Sequence, residues 1–164
     1  MQVILSHPRE LARAIYLLES APLDGTKVME LAEYVEDRSL AQNRLAFRWY
    51  NDAADQLKDG TASDKRAYCK LHFGVAILKD GTGKAADKFR DVYDRIIRPL
   101  TYEQKLELMT EPINLPITSL MTVKQFTQYL DAVQHFFSSI GVVLITDDDL
   151  FNTAMGRKKE KANG

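Results

Sequence analysis

The stretch Ser39 to Leu57, SLAQNRLAFRWYNDAADQL, constrains the chain more than any other. At roughly 100° per residue, Leu45, Ala46, Trp49, Tyr50, Ala53, Ala54 and Leu57 gather on one broad side, while Arg44, Arg48, Asp52 and Asp55 gather on the other. That pattern is an amphipathic helix whose apolar side must be covered by the rest of the fold. Ser39 is a favoured N-cap type and Gln42 follows three residues later, so the spacing predicts a capping box at the helix start. Ser39→Ala would then cost about 0.5–2 kcal/mol. Asn43 falls toward the apolar side, where an amide without a partner costs about 1–3 kcal/mol.

A chain of 164 residues suits one domain, taken as 1–156 with a basic tail at 157–164. No apolar run reaches the length of a membrane span, and MQVILSHPRE is too short and too soon charged for a secretory signal. A cytoplasmic protein is expected. With a single cysteine, Cys69, neither an intramolecular disulfide nor a cysteine-based zinc site is available. Cys69 reads as a core residue. The formal net charge of −1 does not announce a nucleic-acid partner. The distribution is more telling. Between Arg38 and Lys70 stand seven basic residues (Arg38, Arg44, Arg48, Lys58, Lys65, Arg66, Lys70) and four acidic ones, and Arg157-Lys158-Lys159-Glu160-Lys161 forms a second cationic run.

Taken in order, Met1–Leu5 reads as a short strand and Pro8–Glu19 as a helix with Leu11, Ala14, Ile15 and Leu18 on one face. Residues 21–26 form a turn, and 28–36 suits strand or helix equally. Asp-Gly turns are expected at 58–61 and 79–82. Helices follow at Ser63–Leu78 and Asp87–Arg98, the second ended by Pro99. Thr101/Gln104 and Thr122/Gln125 make two further capping boxes, with an extended connector over 111–119 between them. The last capping box opens a helix with Val123, Phe126, Leu130, Val133, Phe137 and Ile140 as its stripe, closed by Gly141. Val142–Ile145 reads as a strand, and Asp147 starts a final helix. The fold class expected is α+β, a predominantly helical domain with a small three-stranded sheet from segments near 2–6, 28–36 and 142–146.

Arg44 and Arg48, one helical turn apart, suit phosphate oxygens, and Trp49 or Tyr50 could offer a stacking face to an unpaired base. The competing reading pairs both arginines with nearby acids and buries both rings. His7, His72 and His135 have no zinc-binding spacing. Gly81-Thr82-Gly83-Lys84 lacks the spacing and the Ser or Thr of a phosphate loop. Asp147-Asp148-Asp149 suits either a Mg²⁺-dependent nuclease or the capping of free backbone N–H groups.

Arg38 to Arg44, RSLAQNR, resembles the RS-L-x-QNR signature of the phage lambda NinB/Orf family of recombination proteins. Ser6-His7-Pro8 after an opening strand resembles the family's start. Leu120-Met121-Thr122 through Gly141-Val142-Val143-Leu144 resembles its late helix ending in G-V-x-L. The resemblance covers the outer parts of the chain rather than residues 60–115. It implies a strand at 28–36 and a non-catalytic, phage-encoded recombination mediator without cofactor or metal. Such a protein binds single-stranded or gapped DNA as a homodimer and assists recombinase loading onto DNA coated by host single-strand-binding protein. The DNA contacts expected from the clustered charge are Arg38, Arg44, Arg48, Lys65, Arg66 and Lys70, with Arg157, Lys158 and Lys159 of the tail auxiliary and Ser39, Gln42 and Asn43 structural. A helical interaction module remains the alternative, with the nuclease a third.

Overall fold

A computed structural model describes residues 3–31 and 38–157. Their α-helices are α1 (Pro8–Glu19), α2 (Arg38–Leu57), α3 (Ala62–Cys69), α4 (Val75–Lys79), α5 (Lys84–Val92), α6 (Tyr102–Met109), α7 (Val123–Ser139) and α8 (Asp148–Ala154). The chain divides into two units, Met1–Glu36 and Asp37–Gly164.

The first unit carries α1, which has the predicted bounds. Pro8 stands at its start, where the missing N–H is no loss, and His7 Nδ1 accepts from the Arg9 N–H at 3.2 Å. Asp24 closes the following turn by accepting from the N–H and hydroxyl of Thr26, which holds its carboxyl below the usual range.

The second unit is built around α2. Leu45, Ala46, Trp49, Tyr50 and Ala53 are buried as the periodicity requires, against Phe126, Tyr129, Leu130, Val133 and Phe137 of α7 and Ala154 of α8. Two polar contacts, one of them fully buried, fix the register. The Tyr50 and Tyr129 hydroxyls lie 2.6 Å apart, and Trp49 Nε1 donates to Thr146 Oγ1 at 2.8 Å. Burial raises both tyrosines above their ordinary pKa. A second cluster joins Val75, Leu78, Tyr93, Ile97, Met109 and Ile117, and Met121 packs against both clusters.

π-helical turns interrupt two helical runs, Lys70–Gly74 between α3 and α4 and Tyr93–Ile97 after α5. Each widens the helix by a residue and rephases the next turn, and after the second one Ile97 is buried while Ile96 is exposed. At Gly74 a Cβ would stand 2.5 Å from Ile117 Cγ2, so the bulged backbone packs directly on the second cluster. The capping boxes Thr101/Gln104 and Thr122/Gln125 both form. At Gly141 (φ 86°) α7 ends in a Schellman pattern, with Val142 N–H on Phe137 O and Gly141 N–H on Ser138 O.

The expected sheet is not there. Among the described residues no strand forms, and the fold is helical rather than α+β. Residues 3–5 and 28–31 have no regular structure, and the rest of the first two proposed strands lies outside the described residues. The third segment is extended but docks on a helix. Gln56 accepts from Val143 N–H at 2.8 Å and donates to Val143 O at 2.7 Å, and Asp52 Oδ2 accepts from Ile145 N–H at 2.9 Å. Side chains of α2 thus supply the partners that a neighbouring strand would have supplied.

The start of α2 also differs from expectation. The helix opens at Arg38, so Ser39 lies within its first turn rather than at a cap. Gln42, not Asn43, is the inward amide. It is fully buried, and its Nε2 lies 3.1 Å from Val123 O, 2.9 Å from Thr127 Oγ1 and 3.2 Å from Ala154 O. Asn43 is exposed. Denaturant unfolding distinguishes the two kinds of helix start. Thr122→Ala removes a formed cap and should cost about 1 kcal/mol, whereas Ser39→Ala should stay within about 0.5 kcal/mol.

Candidate nucleic-acid interface

The outward side of α2 carries Leu40, Asn43, Arg44, Phe47, Arg48 and Asn51, all exposed. It is cationic near the helix start and gives way to Asp55 toward the end. Its centre is Phe47, 48% exposed although it belongs to the helix that forms the core. The ring lies edge-on to buried Tyr50, centroids 6.0 Å apart. Arg66 of α3 places its guanidinium 5.0 Å from the Phe47 centroid, a cation–π contact that joins the two helices. Aromatic surface edged by arginine suits stacking with a heterocycle beside an anionic chain.

Of the cations expected at DNA, the structure brings Arg44, Arg48 and Arg66 to this side of α2 and its neighbour α3 and sets two others to different tasks. Lys70 is 1% exposed, its Nζ donating to Met109 O at 3.0 Å and Asn114 Oδ1 at 2.8 Å. Burial, with Arg66 nearby, lowers its pKa to about 8. Lys70, the first residue of the π-helical turn after α3, therefore ties that turn to the end of α6 and the segment beyond it and is withdrawn from the surface. Lys65 is paired with Asp59, whose carboxyl that hydrogen bond holds below its usual range. Arg157 stacks 5.2 Å from the Phe151 centroid at the end of α8. The Arg38 side chain and the tail residues Lys158 and Lys159 lie outside the described residues. Trp49 and Tyr50, the rings expected to offer a stacking face, are buried. The exposed ring of α2 is Phe47.

Ser39, Gln42 and Asn43, expected as a structural motif, line one cavity together with Arg66. It measures about 260 Å³ and is completed by the turn Thr118–Leu120, Met121 and the start of α7. Among the described residues no carboxylate lines it. A larger cavity of about 590 Å³ lies along α4, α5 and α7 and includes Gly81 and Thr82. There Arg90 donates to Gly81 O at 2.9 Å and pairs with Asp87, so a side chain fastens the glycine turn. Cys69 is buried, and burial raises its thiol pKa. Asp147 caps α8, its Oδ1 accepting from the N–H groups of Asp149 (2.9 Å) and Leu150 (3.2 Å).

No family of proteins, curated protein or solved structure matches this chain.

The two roles of the lysines separate experimentally. Lys70→Met should leave Met109 O and Asn114 Oδ1 unpartnered and cost about 1–3 kcal/mol, with no change in DNA affinity. In the parent protein the lowered pKa means that the unfolded state binds the extra proton. Lys70 therefore contributes stability that rises with pH above about 8, and the slope above pH 8 should flatten in the variant. Urea midpoints across pH 7–10 measure both effects.

Proposed function

We propose that this chain is a non-catalytic DNA-binding protein that takes single-stranded or gapped DNA on the outward side of α2. The observation that carries the reading is half-exposed Phe47 with Arg66 5.0 Å from its centroid, and Arg48 is exposed next to it in the helix. A ring in that setting gains by stacking on an unpaired base, and a base within a duplex has both faces covered already. Arg48 is positioned for the flanking phosphates, where its binding releases counterions. The resemblance of Arg38–Arg44 to the NinB/Orf signature points to the same class. On that reading the protein works in the cytoplasm of a bacterial host, assisting recombinase loading on strands held by single-strand-binding protein. Among the described residues no helix is long and apolar enough to cross a membrane.

A homodimer belongs to the proposal. Within α1 no residue is buried, and Leu11, Ile15 and Leu18 are exposed. These residues form an apolar stripe along α1, and a second copy can cover it while offering the same stripe in return. At the start of α8 Asp147 Oδ1 accepts from the N–H groups of Asp149 and Leu150, which supports the capping reading of that acid.

Fluorescence anisotropy with labelled oligonucleotides over a salt series tests the reading. Phe47→Ala should weaken single-strand binding by about 1–3 kcal/mol, roughly 5- to 150-fold, and change duplex binding little. Arg48→Ala should reduce the slope of log affinity against log salt by about 0.7. Affinity unaltered in both variants would remove this side of α2 as the contact surface.

A further inference from the structure

Phe47 is a supported ring. It meets Tyr50 edge to face, the centroids 6.0 Å apart and the planes at 80°. Tyr50 is itself immobilised, buried with its hydroxyl on that of Tyr129. Over one face of Phe47 stands the Arg66 guanidinium, 5.0 Å from the centroid. Arg66 is half-buried, and among the described residues its side chain makes no hydrogen bond or ion pair. The ring it covers nevertheless stays 48% exposed. With one face under a guanidinium, that exposure belongs to the opposite face and the rim.

Two aromatic faces laid flat on each other repel, because each presents the negative part of its quadrupole. A cation on the far side of one ring draws that electron density toward itself. The near face then accepts a second π system in the flat arrangement that a bare phenyl ring resists. The gain grows with the area of overlap, so a bicyclic purine benefits more than a monocyclic pyrimidine. A sugar or a phosphate brings no π-face. A single open face also limits the platform to one base, since Arg66 occupies the other.

We infer that the open face of Phe47 takes one unpaired base and prefers a purine, with Arg66 as the positioning residue that sets this preference from the far face. The inference rests on the single-strand reading above and deepens it, naming the class of base that the strand offers at this point. Arg66 acts through the ring rather than by touching the base, so its effect is on the choice of base as well as on affinity. Tyr50 and Arg66 hold Phe47 from its edge and its back. A ring held in this way loses little freedom on stacking, and little of the stacking gain is lost to ordering.

The test titrates the full chain with abasic DNA strands that carry one central base, adenine or thymine, beside a fully abasic strand and an ordinary oligothymidine of the same length. Fluorescence anisotropy at one salt concentration reads affinity. Such strands remove competition from neighbouring bases and from stacking within the strand. The parent protein should bind the adenine strand about 3- to 10-fold more tightly than the thymine strand. Arg66→Met keeps the reach of the side chain without its charge and should bring that ratio below about 2. Arg66→Lys keeps the charge and should hold an intermediate ratio. In Phe47→Ala both strands should bind like the fully abasic one. With 2-aminopurine as the single base, fluorescence should be quenched on binding the parent and unquenched on Phe47→Ala. Thermal midpoints check that the variants fold. A ratio equal in the parent and Arg66→Met, or quenching that persists in Phe47→Ala, overturns the inference. Oligothymidine bound while no single base adds affinity to an abasic strand would retain the DNA reading and overturn the inference alone. An oligothymidine that fails to bind at all would sink the DNA reading and the inference with it.

Discussion

One buried amide holds the larger unit together at its busiest junction. Gln42 Nε2 has two hydrogens and three acceptors within reach, on the first turn of α7, on Thr127 and on the last residue of α8. Because these partners belong to different elements, α2 cannot rotate or slide without stranding polar groups away from water, a cost of about 1–3 kcal/mol for each. Given that register, Trp49 meets Thr146, Tyr50 meets Tyr129, and the 142–146 segment finds Gln56 and Asp52. With one side of α2 committed to the core, the opposite side is presented to solvent as a fixed array of Asn43, Arg44, Phe47 and Arg48.

That division of labour on one helix explains how a chain with a net charge of −1 can offer a cationic surface. Charge is sorted by task rather than pooled. Lys70 is spent on backbone and amide oxygens inside the fold, Lys65 on Asp59, Lys79 on Asp94 and Arg90 on a glycine turn. Arg66 stands over an exposed ring, and Arg48 is exposed on the same helix as that ring. Counting basic residues along the chain overstates the surface available to phosphate, since burial and pairing remove cations that the count includes.

Much of the helical architecture is legible in the residues. Proline, threonine and glycine punctuation fixes α1, α6 and both ends of α7, because caps are local hydrogen bonds set by spacing alone. The sheet is not, because the run Val142–Ile145 specifies an extended backbone without specifying its partner. Whether that partner is a strand or the side chains of Gln56 and Asp52 depends on contacts 87 and 93 residues away in sequence. The Ser39 box fails for a related reason, since the spacing of Ser39 and Gln42 suits a cap but the amide has better buried partners far along the chain. Phe47 is within reach of sequence reasoning: on the helical wheel it lies away from the buried stripe, between Asn43 and Arg44. The cavity is not, because its Ser119 and Arg66 come from elements that only the fold brings to α2.

The central claim is that the outer side of α2, joined to Arg66, is where a single strand rests. Backbone and side-chain amide chemical shifts followed during titration with a short oligothymidine test it most directly. The account predicts shifts concentrated at Asn43, Arg44, Phe47, Arg48, Asn51 and Arg66, with α5 and α6 undisturbed. Shifts confined to α5 and α6, or no shift in α2 while the oligonucleotide binds, would contradict it.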